Sequence, residues 1–457
     1  MSEEDQQPDS QLKRQLGLPT ATALVVGEVI AVGIFLTPAG MAKSLGSPFW
    51  LLVVWLVMGL MALCGALCYG ELAARFPEAG GGYVYLREAY GPAVAFLYGW
   101  MAFLVMDPGL TAALAVGMAG YAAYGLGLSP LGMKVFAVSA ILLVAALNIR
   151  GVKLGGWLVR WLTIIKLGLL LFILLWGFGL QLGDWRHFTP FIAQRDDSTP
   201  LAGALAGALV AAFFSFGGWW DVSKLAGEVR DPARTLPKAL TYGVLIVTLT
   251  YILTSAVFIY LVPLERVASG ETFAAQAGET LFGRVGGQVL SLVVVVAVFG
   301  SLAGLIMSAP RVYFAMARDK VFPPVAASLH TRYGTPARAI ALQALLASLL
   351  VMLGNFGQIV SYFIFVVVIF LALTVGALFV LRRRRPSGDV YLTPGYPFTP
   401  IIFLLLIVLL LLLLAGNNPK QAALGVLVVA LGLPFYYLVF RRRPPPAHDV
   451  EREKLNL

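Results

Sequence analysis

This chain of 457 residues has little of what enzymes use. It holds three histidines and two cysteines, and only 12% of its residues carry a charge. His187, His330 and His448 fall in loops or tails, without metal-ligand spacing and without a triad partner. No catalytic residue, metal site or cofactor is therefore expected. Cys64 and Cys68 stand four apart in an apolar run beside Gly65 and Ala66. They read as packing residues, because further metal ligands are missing and a bilayer core offers no oxidising context for a disulfide. No stretch fits the pattern GXXXXGK[ST] of a phosphate-cradling loop, so ATP-driven pumping is not expected.

What the chain has is apolar length. Hydrophobic residues make up 59% of it and its mean hydropathy is +0.85, far from a soluble domain. Twelve apolar stretches, each long enough to cross about 30 Å of hydrocarbon as a helix, begin near Leu18, Phe49, Ala93, Lys134, Trp157, Ala202, Leu240, Val285, Arg338, Ile359, Thr399 and Ala422. No cleavable signal is expected ahead of them, since "MSEEDQQPDSQLKRQLG" is polar and acidic before Lys13-Arg14. Most lysines and arginines fall in alternate loops and in the tails, which predicts both termini on the cytoplasmic side. The net charge of +10 then reads as orientation and contact with anionic lipid headgroups, through "LRRRRPSG" and "FRRRPPP", and not as nucleic-acid binding.

Two spans carry glycine where a helix is weakest. In the first, Ala31-Val32-Gly33 separates "TATALVVGEVI" from "IFLTPAGMAKSLG"; in the sixth, "FFSFGGWW" places Gly217-Gly218 at mid-span. Broken hydrogen bonds at membrane depth are costly unless the freed groups face protein or a ligand. Two such breaks five spans apart are the pattern of an inverted-repeat transporter, with half-helix ends aimed at substrate and ion. A zwitterion satisfies exposed amides and exposed carbonyls together, so an amino acid is the expected substrate.

The segments "GIFLTPAGMAKSLGSP", "GALCYGELAARFPEAGGGYVYLREAYGPAVAFLYGW", "GEVRDPARTLPKAL", "PRVYFAMARDKVFPP", "RYGTPARA" and "YLTPGYPFTP", in that order, resemble the amino acid, polyamine and organocation transporter superfamily. The chain looks most like bacterial members of the L-type amino acid transporter branch. That resemblance implies an all-α membrane fold of twelve helices, five plus five in inverted repeat, with helices 1 and 6 broken at mid-membrane and two peripheral helices. On this reading residues 1–17 form a cytoplasmic tail and 18–180 the first repeat. Residues 181–201 are an external loop, 202–381 the second repeat, 382–398 a cytoplasmic loop, 399–440 the last two helices and 441–457 a basic cytoplasmic tail. The expected location is the bacterial inner membrane, and the oligomeric state is left open.

The resemblance also assigns residues. The family's Gly-Ser-Gly at the first break corresponds to Ala31, Val32 and Gly33, so the amides of Val32, Gly33 and Ile34 are expected to hold the carboxylate, with a valine where relatives have a hydroxyl. Phe214 matches an aromatic gate, Ser215 and Phe216 would offer carbonyls to the ammonium beside Gly217, and Trp219 matches the family tryptophan. Lys166, in "WLTIIKLGLLLFIL", matches a fifth-span lysine whose ammonium replaces a sodium ion between the first and eighth helices. Glu28 could pair with Lys166, bind a substrate cation, take up a proton or cap a polar network. Asp107 precedes Pro108 and reads first as part of a local kink. Glu71, Arg75, Arg230, Asp231 and Arg318 look like ion pairs of an inner gate.

The expected function is secondary transport of amino acids, neutral ones because Glu28 is the only charge at the breaks, by sodium-independent exchange or proton-linked uptake with alternating access. A polyamine or cationic amino acid carrier would use Glu28 as its side-chain partner. A channel would need a polar pore, which the apolar spans do not supply. A receptor or scaffold of the same fold is the remaining alternative.

Overall fold

A computed structural model of the chain describes residues 12–196, 198–264, 273–353, 356–384, 390–417 and 419–440. The start of the N-terminal tail, part of the 382–398 loop and the basic tail from 441 lie outside these residues.

The first span is two helices, α1 (Leu18–Val29) and α2 (Gly33–Leu45), bent by 43° at Ile30–Val32. Then follow α3 (Pro48–Arg75), α4 (Gly82–Tyr90) and α5 (Pro92–Met101), the last running through a π-helical turn at Ala102–Met106 into α6 (Asp107–Leu126). Helices α7 (Pro130–Ile149) and α8 (Val152–Gly179) precede α9 (Leu201–Phe216). That helix gives way, after Gly217 and Gly218, to a 3₁₀ segment at Asp221–Glu228. The remainder is α10 (Pro232–Leu261), α11 (Phe273–Phe282), α12 (Gly286–Ser308), α13 (Pro310–Arg318), α14 (Ala337–Leu353), α15 (Phe356–Arg384), α16 (Phe398–Asn417) and α17 (Pro419–Val439).

Proline sets many of these starts, because its fixed φ suits the first helical turn and its missing N–H is not needed there. Pro48, Pro92, Pro130, Pro232 and Pro310 each open a helix. Ser47 adds a side-chain cap on α3, and Ser129 caps α7 by accepting from the Gly132 amide at 3.1 Å. Pro232 and Val152 carry the seventh and fifth helices several residues beyond the expected apolar starts at Leu240 and Trp157, so these helices protrude past their apolar cores.

Among the described residues, ten helical segments are long and apolar enough to cross a membrane, and the bent pair α1–α2 makes an eleventh. Helix α14 is apolar but 17 residues long, just short of that length. No strand occurs among the described residues; a single bridge joins Leu16 to Val229. There the amides of Gln15 and Leu16 donate to the Glu228 carbonyl at 2.7 and 2.9 Å, tying the start of the first span to the far side of the second break.

The broken α1 lies in the middle, against α8, α10 and α12. Close approach depends on missing side chains: a Cβ on Gly243 of α10 would stand 2.4 Å from Val25. Helices α16 and α17 sit outside and expose Leu405, Leu412, Leu431 and Leu438, as α8 exposes Trp157 and Leu175. An apolar outer surface of this extent suits a hydrocarbon surrounding and not water.

Candidate functional site

At the first break the chain leaves the helical pattern after Ile30, whose amide still reaches Val26 at 2.9 Å. The Ala31 amide turns instead to the Val29 carbonyl at 2.7 Å, so the Gly27 carbonyl loses its helical donor. Two side chains replace it. Lys166 on α8 donates to Gly27 at 2.9 Å, to Ile30 and to Ser301 of α12 at 2.9 Å, while Ser301 Oγ lies 2.6 Å from the Gly27 carbonyl. Lys166 is buried, and its ammonium stands where the Ser301 hydroxyl of α12 and the freed carbonyls at the end of α1 converge.

The same break frees donors. No hydrogen bond takes the amides of Val32, Gly33 or Ile34 among the described residues, as expected for the first turn of α2. Their N–H groups form the positive end of that helix. The Val32 side chain packs against α6 at Gly117, where a Cβ would approach it to 2.9 Å. Gly33 lets the other broken helix come close, because a Cβ there would lie 2.7 Å from the Ser215 backbone.

At the second break Gly218 adopts φ +105°, a conformation that side-chain-bearing residues rarely reach. Ser215 Oγ meets Thr37 Oγ1 at 2.9 Å, linking the two broken helices directly. The Tyr251 hydroxyl of α10 links them again, 2.7 Å from the Val29 carbonyl and 2.8 Å from the Ser215 carbonyl. Its one proton is shared between both breaks.

Between the breaks lies a narrow cavity of about 20 Å³, room for about one water molecule. Of the residues assigned from sequence, Glu28, Ala31, Val32, Gly33, Phe214, Ser215 and Gly217 line it. Ile34, Phe216 and Trp219 do not. Phe216 packs on Tyr251 with ring centroids 5.1 Å apart, and Trp219 is buried against Tyr69 and across Gly65, where a Cβ would meet its ring at 2.6 Å. Phe214 also borders a second void of about 20 Å³, shared with Asp107, Trp220 and Asp221.

Sequence reasoning missed Asp221 and gave Lys224 no role. Lys224 Nζ lies 2.9 Å from Asp107 Oδ1 and 2.7 Å from Asp221 Oδ1, and all three are buried. Tyr313 of α13 donates to Asp107 at 3.1 Å. Asp107 directly follows the π turn and also holds Lys224 from the far side of the second break, a partner not foreseen from sequence. Glu28 is not paired with Lys166. Asp221 and Ser308 stand beside its carboxylate and Lys224 acts on it through its charge, but neither oxygen meets a donor at hydrogen-bond distance. Cys64 and Cys68 are free and buried.

The Arg75 end of the bundle is closed by ion pairs that differ in part from those expected. Glu71 meets Arg75 at 2.7 Å and Arg382 at 2.9 Å, and accepts the Thr393 amide at 2.8 Å. Arg87 and Tyr83 grip Asp319 at 2.7 and 2.8 Å. Burial works against the Arg87 guanidinium, but Asp319 and then Glu78 hold it above its ordinary value. Arg318 rests over the Phe314 ring, and Asp231 only reaches Arg234 at 4.0 Å on the surface. A deeper pair, Arg311 with Glu228, is bidentate at 3.0 and 2.9 Å.

Comparison with known proteins gives the family. The amino acid permease family matches residues 16–440. The serine/threonine exchanger SteT of Bacillus subtilis (strain 168) is 33% identical over 443 residues, covering 95% of this chain and 99% of that protein. The large neutral amino acids transporter small subunit 2 of Rattus norvegicus is 28% identical, covering 98% of this chain and 84% of its own length. The cystine/glutamate transporter of Homo sapiens is 27% identical, over 94% and 85% respectively. With two broken spans meeting at a buried cavity and a match along nearly its whole length, this chain belongs to the amino acid permease family.

Proposed function

We propose that this chain is a secondary transporter of amino acids that works without sodium, by exchange or proton-linked uptake, through alternating access around the two breaks. The observation that carries the reading is the Lys166 ammonium among the Gly27 and Ile30 carbonyls and Ser301, with three open amides on the other side of the same turn. A fixed cation there supplies the charge a mobile ion would supply, and the amides suit a carboxylate. The amides of Val32, Gly33 and Ile34 hold the substrate carboxylate, and Phe214 closes over it. The bent α1–α2 pair, the ten long spans and α14 make up twelve crossings, five plus five in inverted repeat with α16 and α17 outside. The protein sits in the bacterial inner membrane with both termini inside.

Neutral amino acids are the first choice of substrate, in keeping with what the serine/threonine and large neutral amino acid relatives are named for. Cationic amino acids or polyamines are the second, because Glu28 and Asp221 both line the cavity. Uptake of radiolabelled serine, leucine, lysine and putrescine into proteoliposomes, with and without the same compound inside, tests this. Stimulation by internal amino acid supports exchange, whereas binding without uptake of any of them would support a receptor of this fold instead.

A further inference from the structure

The buried charges around the cavity do not balance. Glu28, Asp107 and Asp221 contribute three carboxylates, while Lys224 and Lys166 contribute two ammoniums, and all five are buried. The bidentate Arg311–Glu228 pair at the end of the same 3₁₀ segment is self-contained and changes nothing. Lys224 is already shared between Asp107 and Asp221, and Lys166 is committed to the carbonyls of the first break. Around Glu28, α8 brings Lys166, the 3₁₀ segment brings Asp221 and Lys224, α12 brings Ser301, Ser308 and the bare Gly304, α6 brings Leu110 and Leu114, and α9 brings Phe214 and Ser215. Asp221, itself a carboxylate, and Ser308 stand beside Glu28, but neither of its oxygens meets a donor at hydrogen-bond distance. A buried carboxylate without a partner is too costly to persist at membrane depth.

A second observation points the same way. The Ser215 carbonyl expected to receive the substrate ammonium accepts from Tyr251, and Phe216, the other residue expected to offer one, does not line the cavity. The cavity keeps its open amides for a carboxylate, while one of the two carbonyls expected for an ammonium is already engaged and the other belongs to a residue outside its lining. What it offers in their place is the Glu28 carboxylate, one of the residues that line it.

We infer that Glu28 is the subsite for a substrate ammonium and carries a proton when the cavity is empty, so that each substrate entering displaces one proton. The missing positive charge is a proton in one state and an ammonium in the other. No bond other than O–H is broken, and the released proton passes to solvent. The inference rests on the proposed amino acid transport and specifies its chemistry. The ammonium comes either from the α-amino group of the zwitterion or from a side-chain amine.

Difference infrared spectroscopy tests the empty state without any substrate. Wild type against Glu28→Gln at neutral pH should show the stretch of a protonated carboxyl group, and its absence would overturn the inference whether or not the protein transports amino acids. Adding serine, leucine, lysine or putrescine to wild type in weakly buffered detergent solution should then remove that band and release one proton per molecule bound. Release with serine and leucine but not putrescine identifies the α-ammonium; release with lysine and putrescine alone identifies a side-chain amine. The apparent affinity of wild type should weaken about tenfold per unit of falling pH while Glu28 is protonated, and Glu28→Gln should lose that dependence. Binding of any of the four with no proton released would overturn the proposal. A protein that takes up none of them, yet shows the Glu28 band, would refute the transport reading and leave the proton on Glu28 established.

Discussion

Replacing Lys166 removes a buried cation with three partners and a stem inside the bundle. Ser301 remains 2.6 Å from the Gly27 carbonyl and 3.2 Å from that of Ile30, but its one proton satisfies only one of them. The other is orphaned, at about 1–3 kcal/mol. Truncation to alanine also deletes three methylenes, about 2 kcal/mol of apolar packing at roughly 0.8 kcal/mol each. Lys166→Ala should therefore lose about 3–5 kcal/mol, whereas Lys166→Met keeps most of the volume and should lose only the orphaning cost. Both should abolish or strongly slow transport, because the first break loses the charge that holds its carbonyls in place. Thermal unfolding in detergent reads the stabilities, and proteoliposome uptake reads the rates. Lys166→Met transporting at the wild-type rate would refute the assignment, since that variant retains everything but the ammonium.

Other substitutions probe the rest of the site. Phe214→Ala should slow transport far more than it weakens binding, because the main-chain contacts survive the loss of a gate; equal losses in uptake rate and in Kd would mark a packing residue. Gly33→Ala places a methyl group 2.7 Å from the Ser215 backbone and should force the broken helices apart, with loss of both uptake and ligand-induced thermal stabilisation. A Gly33→Ala protein that binds and transports normally would show that the close crossing of these helices is dispensable.

Much of this arrangement is legible in the chain before any coordinates. Glycine in an apolar run marks both breaks, and a lone lysine deep in the fifth span asks for a partner, which the first break supplies. Positions where spans begin follow from proline and from apolar length. The polar cluster was harder to see. Asp107 and Lys224 are 117 positions apart, and nothing local says that they meet. Asp221 looks like the polar start of a loop until the chain is seen to continue as a 3₁₀ segment through the packed interior. A usable signal existed, since each ionisable residue inside an apolar span needs an opposite charge, and Lys224 with Asp107 was the pair left over. The occupation of the Ser215 carbonyl had no signal at all, because Tyr251 sits in a run of apolar and hydroxyl residues that reads as ordinary span. Trp219 shows the reverse: it matches a family position, but its environment is Gly65 and Tyr69, and not the cavity.

Sodium replacement in proteoliposomes tests the central claim most directly. Purified protein is reconstituted, and radiolabelled serine and leucine are offered with external sodium, with potassium and with choline, against interiors with and without amino acid. If Lys166 permanently supplies the cation at the first break, initial rates are the same in all three salts and rise when amino acid is provided inside. Uptake that requires sodium would contradict the account, most plainly if Lys166→Ala also remained active.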